Sequence, residues 1–405
     1  MPGATLEETA EPQRTTRPTP RGPAPAAPAG RGTGGPGRSE PGGPVPGGID
    51  LRGAFVQLAG RERWFLVLLG LGFFVAGATY QVPAVAMWVG FAFAGYSAVA
   101  NDSIQTIGTF IASNRHRPWW ALWLFVGGLF LVTATVGWVT HAGDVSFGRL
   151  QSKGFAEAPT SFAFLQVAAP LFLMIMTRLR MPVSTTFLLL SSFSTTSSGV
   201  QSVLLKSLAG YAIAILAAVV VWGALGPWLH RRLSATSASR PWVLAQWTTS
   251  GALWSIWLVQ DLANIAVFLP RALSAGEFVA FAGTIFLGLG VLMRLGGDKI
   301  QRIVDEKSDV VDVRAATLID GVYAVVLFTF TVVSKVPMST TWVFLGLLAG
   351  RELSMAVRRA NSTGRSVGTA LRLVARDVGY AAAGLLVSLA LAAAVNPALR
   401  ASLGL

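Results

Sequence analysis

The chain has 405 residues, 53% of them hydrophobic and 13% charged, with a mean hydropathy of +0.57 and a formal charge of +13. The absence of cysteine excludes disulfides, thiolate metal sites and Cys nucleophiles. The cations cluster at the ends of apolar segments and no basic run is interleaved with aromatics, which excludes nucleic acid and points to a lipid bilayer.

Residues 1–50 hold 11 of the 21 prolines, abundant Gly and Arg, and almost no large apolar side chain, the composition of a disordered tail. Beyond it, hydropathy predicts an all-α polytopic membrane protein with about eleven segments: 64–81, 84–113, 119–140, 160–179, 182–200, 203–229, 245–270, 276–295, 314–334, 337–350 and 371–395. With the N-terminus placed inside the cell, alternate loops collect Arg61 and Arg63, Arg115 and Arg117, Arg178 and Arg180, Arg231 and Arg232, then Lys299, Arg302 and Lys307, and a last cluster from Arg351 to Arg372. The opposite loops keep only scattered cations such as Arg149, Lys153, Lys206, Arg271 and Lys335, so the positive-inside rule is obeyed. The expected location is the cell membrane, crossed several times. His116, His141 and His230 are isolated near segment ends, and Trp-rich stretches such as PWWALW at 118–123 read as aromatic belts.

Two phrases recur. RMPVSTTFLLL at 180–190 and KVPMSTTWVFL at 335–345 place Ser184 and Ser339 155 residues apart, and VANDSIQTIG aligns with LVQDLANIAV at an offset of 159. That alignment pairs Asn101 with Gln260, Asp102 with Asp261 and Gln105 with Asn264. In the eleven-segment scheme the paired polar segments run in opposite directions. An inverted-topology repeat follows, residues 60–230 against 241–396, with broken or half helices at the midplane. Half-helix N-termini present free N–H groups and partial positive charge. Pro tolerates a first turn and hydroxyls can cap or donate there, so Ser184, Thr185, Thr186, Ser339, Thr340 and Thr341 are candidate donors to a tetrahedral oxyanion. A single Ser-Thr-Thr would read as back-bonding within a membrane helix; the duplication favours a site. Asp102 and Asp261 are expensive at depth and mark a cavity, a partner or an ion path. Asp320 lies only a few residues inside its helix, and a structural and an ion-binding role are equally open for it.

These residues resemble the inorganic phosphate transporter (PiT) family over roughly 60–395. VPMSTTWVFLGLLAG keeps the Pro, the Ser-Thr-Thr and both glycines, Gly346 and Gly350; LVQDLANIA keeps Asp261, Ala263 and Asn264; VANDSIQTIGT keeps Asn101, Asp102, Gly108 and Thr109. The segment RLGGDKIQRIVDEKSD resembles the family's cytoplasmic loop, and the family's glutamate ahead of the motif serine falls on or beside Gln166 and Asp320. Phe187 and Trp342 stand where the motif has histidine, Ser191 and Thr195 replace the first-half glycines, and Gln260, Gln105 and Gln166 replace Asn, Asn and an acid. The resemblance implies import of inorganic phosphate by alternating access, coupled to Na⁺ or H⁺ and without a cofactor. The phosphate would sit between the two Ser-Thr-Thr ends with Asn101 and Gln260, and the cation with Asp102, Asp261, Gln105, Asn264 and Asp320. Sulfate or another oxyanion, an uncoupled channel and a non-transporting membrane sensor are the alternatives. An enzyme is not expected, because neither HExxH nor Gly-x-Ser-x-Gly is present. A homodimer is compatible with the sequence but not required by it.

Overall fold

The computed structural model describes residues 62–152, 154–179, 183–194, 197–233, 239–295, 313–330, 339–357, 366–396 and 400–401. The N-terminal tail, Pro182, Pro337, Lys335 and the basic segment 296–312 lie outside them, as does the side chain of Gln105. The described residues contain helices and connecting turns but no strand.

Helix α1 spans Arg63–Thr79, α2 Pro83–Ala100 and α3 Asp102–Ser113. The sequence predicts one segment over 84–113, but the helix breaks at Asn101, which ends α2 and precedes the first turn of α3 with φ −107° and ψ −67°. Then come α4 (Trp119–Thr140), the single turn α5 (Arg149–Ser152), α6 (Phe164–Arg178), α7 (Thr185–Phe193) and α8 (Ser197–Leu233). The second half holds α9 (Arg240–Ala266), α10 (Ala275–Arg294), α11 (Val313–Phe328), α12 (Thr340–Val357) and α13 (Val367–Val395). The boundary expected between 200 and 203 falls earlier. Ser194 is extended, with φ −66° and ψ 133°, and α8 then runs for 37 residues.

Five described helices are long and apolar enough to cross a membrane: α2, α4, Ser207–Ala224 within α8, α10 and α13. α1 and α6 are apolar but shorter. Their surfaces explain the composition. On α4 the buried face carries Leu122, Val126, Phe130 and Ala134, and the exposed face carries Trp120, Leu124, Val132 and Val139. A helix apolar on every side is stable against lipid and would be costly in water.

Packing follows small residues. α12 lies along α8, where a Cβ on Gly346 would be 2.6 Å from the Tyr211 carbonyl oxygen and 2.8 Å from the Ala214 Cβ. Gly350 is similarly pressed on Ile215 and Ala218. The motif glycines are therefore a small-xxx-small seam facing Ala214 and Ala218. α9 packs on α11, α2 on α6, α10 on α4 and on α2, α4 on α9, and α13 on α7. Tryptophans tie several of these pairs together: Trp123 Nε1 donates to the Phe286 carbonyl at 2.9 Å, Trp138 Nε1 to Leu273 at 2.8 Å and Trp254 Nε1 to Val126 at 2.9 Å. Trp120 is exposed as a belt residue would be, whereas Trp123, in the same PWWALW run, joins helices.

Candidate functional site

Both Ser-Thr-Thr phrases start helices, and by the same local device. The Ser184 hydroxyl accepts the Phe187 N–H at 3.1 Å, and the Ser339 hydroxyl accepts the Trp342 N–H at 3.3 Å. The carbonyls of the two serines accept from Leu188 and Val343, completing an N-cap in each case. Phe187 and Trp342 thus supply the capped N–H. Ser184→Ala and Ser339→Ala should each destabilise by about 1 kcal/mol, read as a lower thermal midpoint in detergent; an unchanged midpoint in both would contradict the capping role.

The residues after each cap meet at Asp102, at the first turn of α3. Its carboxylate accepts from Asn101 Nδ2 at 2.6 Å and from the Thr185 hydroxyl, and the Thr341 hydroxyl also bears on it. Thr185 belongs to the first phrase and Thr341 to the second, so the two phrases converge on the surroundings of one carboxylate. Thr341 and Asn101 additionally reach the Val183 carbonyl, at 3.3 and 3.4 Å. Asp261 lies within electrostatic reach of Asp102. The two are 2% and 1% exposed, so their mutual repulsion is not screened by bulk water. A buried carboxylate pair is costly unless a positive charge or a proton offsets the repulsion.

Asn264 joins this group from α9. Its amide donates to the Thr186 hydroxyl at 2.8 Å and to Asp261. Gln260 and Thr340 are buried beside them, and the Thr340 carbonyl accepts the Tyr323 hydroxyl at 3.0 Å. Asn101 and Asp102 sit at a helix break, whereas their counterparts Gln260 and Asp261 lie inside α9, which continues to Ala266.

Asp320 has its own setting on α11. It accepts from Thr109 on α3 and from Ser250 on α9, which places it between elements of both halves. Tyr323, one turn further along α11, lies within electrostatic reach of Asp102, Asp261 and Asp320 together. Gln166 stands apart. It closes its own helix start by accepting the Ala163 N–H at 2.8 Å, and donates to the Ser192 carbonyl at 3.0 Å.

Compared with family models, curated proteins and solved structures, the chain finds no match in any of the three, so the chemistry of the site is read from its own residues.

Four contributors were not singled out as site residues from sequence: Thr109, Ser250, Tyr323 and Arg149. Ser250 carried a usable signal, because Gln246, Ser250, Trp257, Asp261 and Asn264 fall on one face of α9 at helical spacing. Gln246 extends that polar stripe, accepting from Asn114 at 3.0 Å and donating to Ser113. Arg149 comes from the connection between α4 and α6. Its turn packs on α9, its Nε is closed off from solvent, and the charge of Asp261 acts on it. Burial lowers the guanidinium's pKa, and the Asp261 charge offsets part of that shift.

Replacing Asp320 tests its structural role. Asp320→Asn keeps partners for Thr109 and Ser250 and should stay folded, whereas Asp320→Leu strands both hydroxyls and should destabilise by about 1–3 kcal/mol per orphaned group. Equal thermal midpoints for the two variants would contradict this reading.

Proposed function

We propose that the chain is a multi-pass cell-membrane transporter that imports inorganic phosphate together with Na⁺ or H⁺ by alternating access. One observation carries the reading: the two Ser-Thr-Thr helix starts converge at Asp102, where the Thr185 hydroxyl donates to the carboxylate and the Thr341 hydroxyl, donating to Val183, bears on it. An oxyanion can take those hydroxyls only if Asp102 lets them go. A cation or proton on the carboxylate does this, because it removes the charge that the hydroxyls serve. The cation therefore frees the donors that bind the anion, and the anion offsets the charge of the cation. That mutual dependence is symport.

An inverted repeat of 60–230 against 241–396, crossing the bilayer about eleven times, is the architecture we infer. Matched contacts support it: exchange of the halves turns α7 on α13 into α12 on α8, α2 on α6 into α9 on α11, and α4 on α9 into α10 on α2. Many polar contacts join the halves, and three of them lie at the site itself. Asn264 to Thr186, Thr341 to Val183 and Thr109 to Asp320 are among the bonds that rocking of one half against the other would break and remake. Sulfate is the second reading, favoured by Gln166, a neutral amide already engaged with Ser192.

Equilibrium binding of labelled phosphate to the purified protein, across Na⁺ concentration at fixed pH and across pH at fixed Na⁺, tests the coupling. Phosphate affinity should rise with one of the two cations, and that cation's affinity should rise with phosphate by the same factor, as linkage requires. Affinity independent of both cations would contradict symport. Stronger competition by sulfate than by unlabelled phosphate would move the substrate to sulfate.

A further inference from the structure

The connection between α4 and α6 is built in detail for a loop. Asp144 accepts the Ser146 N–H at 2.6 Å and the Gly148 N–H at 3.0 Å, and the Gly143 carbonyl accepts the Leu273 N–H at 2.9 Å. Ala142 and Phe147 hold left-handed backbone with φ of 50° and 57°, a conformation that costs energy in residues with a Cβ and is kept only where surrounding contacts enforce it. Leu150 is buried in the main core, and Arg271 binds the far end of the connection through the carbonyls of Phe155 and Glu157, both at 2.8 Å. The same connection carries Arg149, whose turn packs on α9 and whose charge acts on Asp261 of that helix.

We propose that Arg149 is a binding residue for the transported oxyanion, positioned by the 141–157 connection so that its guanidinium faces Asp261 until the substrate takes its place. This rests on the transport reading above. A guanidinium carries a permanent charge and offers paired N–H donors that match two oxygens of a tetrahedral dianion. Asp261 and the oxyanion compete for it. When the coupling cation occupies Asp261, Arg149 is released to the anion, so each carboxylate of the pair controls a set of donors: Asp102 the threonine hydroxyls and Asp261 the guanidinium. Arg149 also selects for charge, since a neutral solute of the same size gains nothing from it. In the topology that the positive-inside rule leads one to expect, the connection lies outside, on the side from which imported phosphate would enter.

Because the chain has no cysteine, Arg149→Cys creates a single thiol. Labelled phosphate uptake into proteoliposomes would be measured for this variant untreated, after 2-aminoethyl methanethiosulfonate, which adds a cationic aminoethylthio group through a disulfide with loss of methanesulfinate, and after methyl methanethiosulfonate, which adds a neutral methylthio group in the same way. The untreated variant should show KM raised by about tenfold or more, the loss of one charge-assisted contact. The ammonium reagent should restore most of the affinity, the neutral reagent should not, and phosphate should slow the labelling. Wild-type KM in the untreated variant, or equal effects of the two reagents, would overturn the assignment while leaving wild-type transport intact. No uptake of phosphate or sulfate by the wild type under any gradient would instead overturn the transport reading and this inference with it. Should Arg149→Cys aggregate on size exclusion, Arg149→Lys and Arg149→Gln decide: a KM for Lys closer to wild type supports the charge, and equal values overturn it.

Discussion

Asp102→Asn should reduce gradient-driven phosphate uptake by between about tenfold and a hundredfold while leaving the helical fold in place. The asparagine keeps the size of the side chain but removes the charge on which Asn101, Thr185 and Thr341 converge. Hydrogen bonds to a charged group contribute about 1.5–3 kcal/mol each, and one such loss in the transition between facing states is already tenfold in rate. Uptake would also lose its dependence on the driving cation, because Asn neither ionises nor neutralises one. Glu277→Gln is the matched control. That carboxylate serves a helix cap with Ser274 at the start of α10, away from the site, and its loss should leave uptake unchanged. Proteoliposome uptake with and without an imposed gradient reads both variants; full, gradient-dependent uptake by Asp102→Asn would remove Asp102 from the mechanism.

Gly350→Ala should lower the thermal midpoint by several degrees and impair transport as well. Its new Cβ would stand 2.7 Å from the Ala218 Cβ and press on the Ile215 carbonyl, neither of which can turn aside as a long side chain could. Overpacking of this kind costs about 1–3 kcal/mol. Relief requires α12 to move away from α8, and the start of α12 carries Thr340 and Thr341, with the Ser339 N–H held by the Ser207 hydroxyl of α8 at 3.3 Å. Stability and the donor set at Asp102 therefore fail together. Gly283→Ala, on a part of α10 where an added Cβ meets nothing within 4 Å, should leave both properties unchanged. Identical behaviour of the two variants, followed by thermal unfolding and uptake, would contradict the seam.

What could be read from sequence was what local chemistry controls. Pro-x-Ser-Thr-Thr announces a helix start, and both serines do cap one, since a hydroxyl reaching the N–H three residues on needs no tertiary partner. Charges inside apolar runs announced Asp102 and Asp261, and both are buried in each other's field. The break at Asn101 was less legible: 84–113 is apolar on both sides of it, and what favours the break is the set of partners that Asn101 and Asp102 find across the fold, at Val183 and Thr185. Arg149 was illegible for a related reason. In sequence it is one loop cation among several, and only the turn at 141–152 and its contact with α9 bring it to Asp261. The tryptophans misled because belts and helix-to-helix ties use the same residue, and the partner carbonyl decides which role an indole N–H takes. The motif glycines were legible as a pattern, but their opposite surface, Ala214 and Ala218 on α8, came only from packing.

The most direct test of the central claim is uptake of labelled phosphate into proteoliposomes holding the purified wild-type chain, under an inward Na⁺ gradient, an inward H⁺ gradient, and neither. Saturable accumulation above equilibrium that follows one gradient and collapses when it is dissipated is the predicted result. Phosphate that only equilibrates, at a rate indifferent to both gradients, would contradict a cation-coupled transporter built around Asp102 and Asp261.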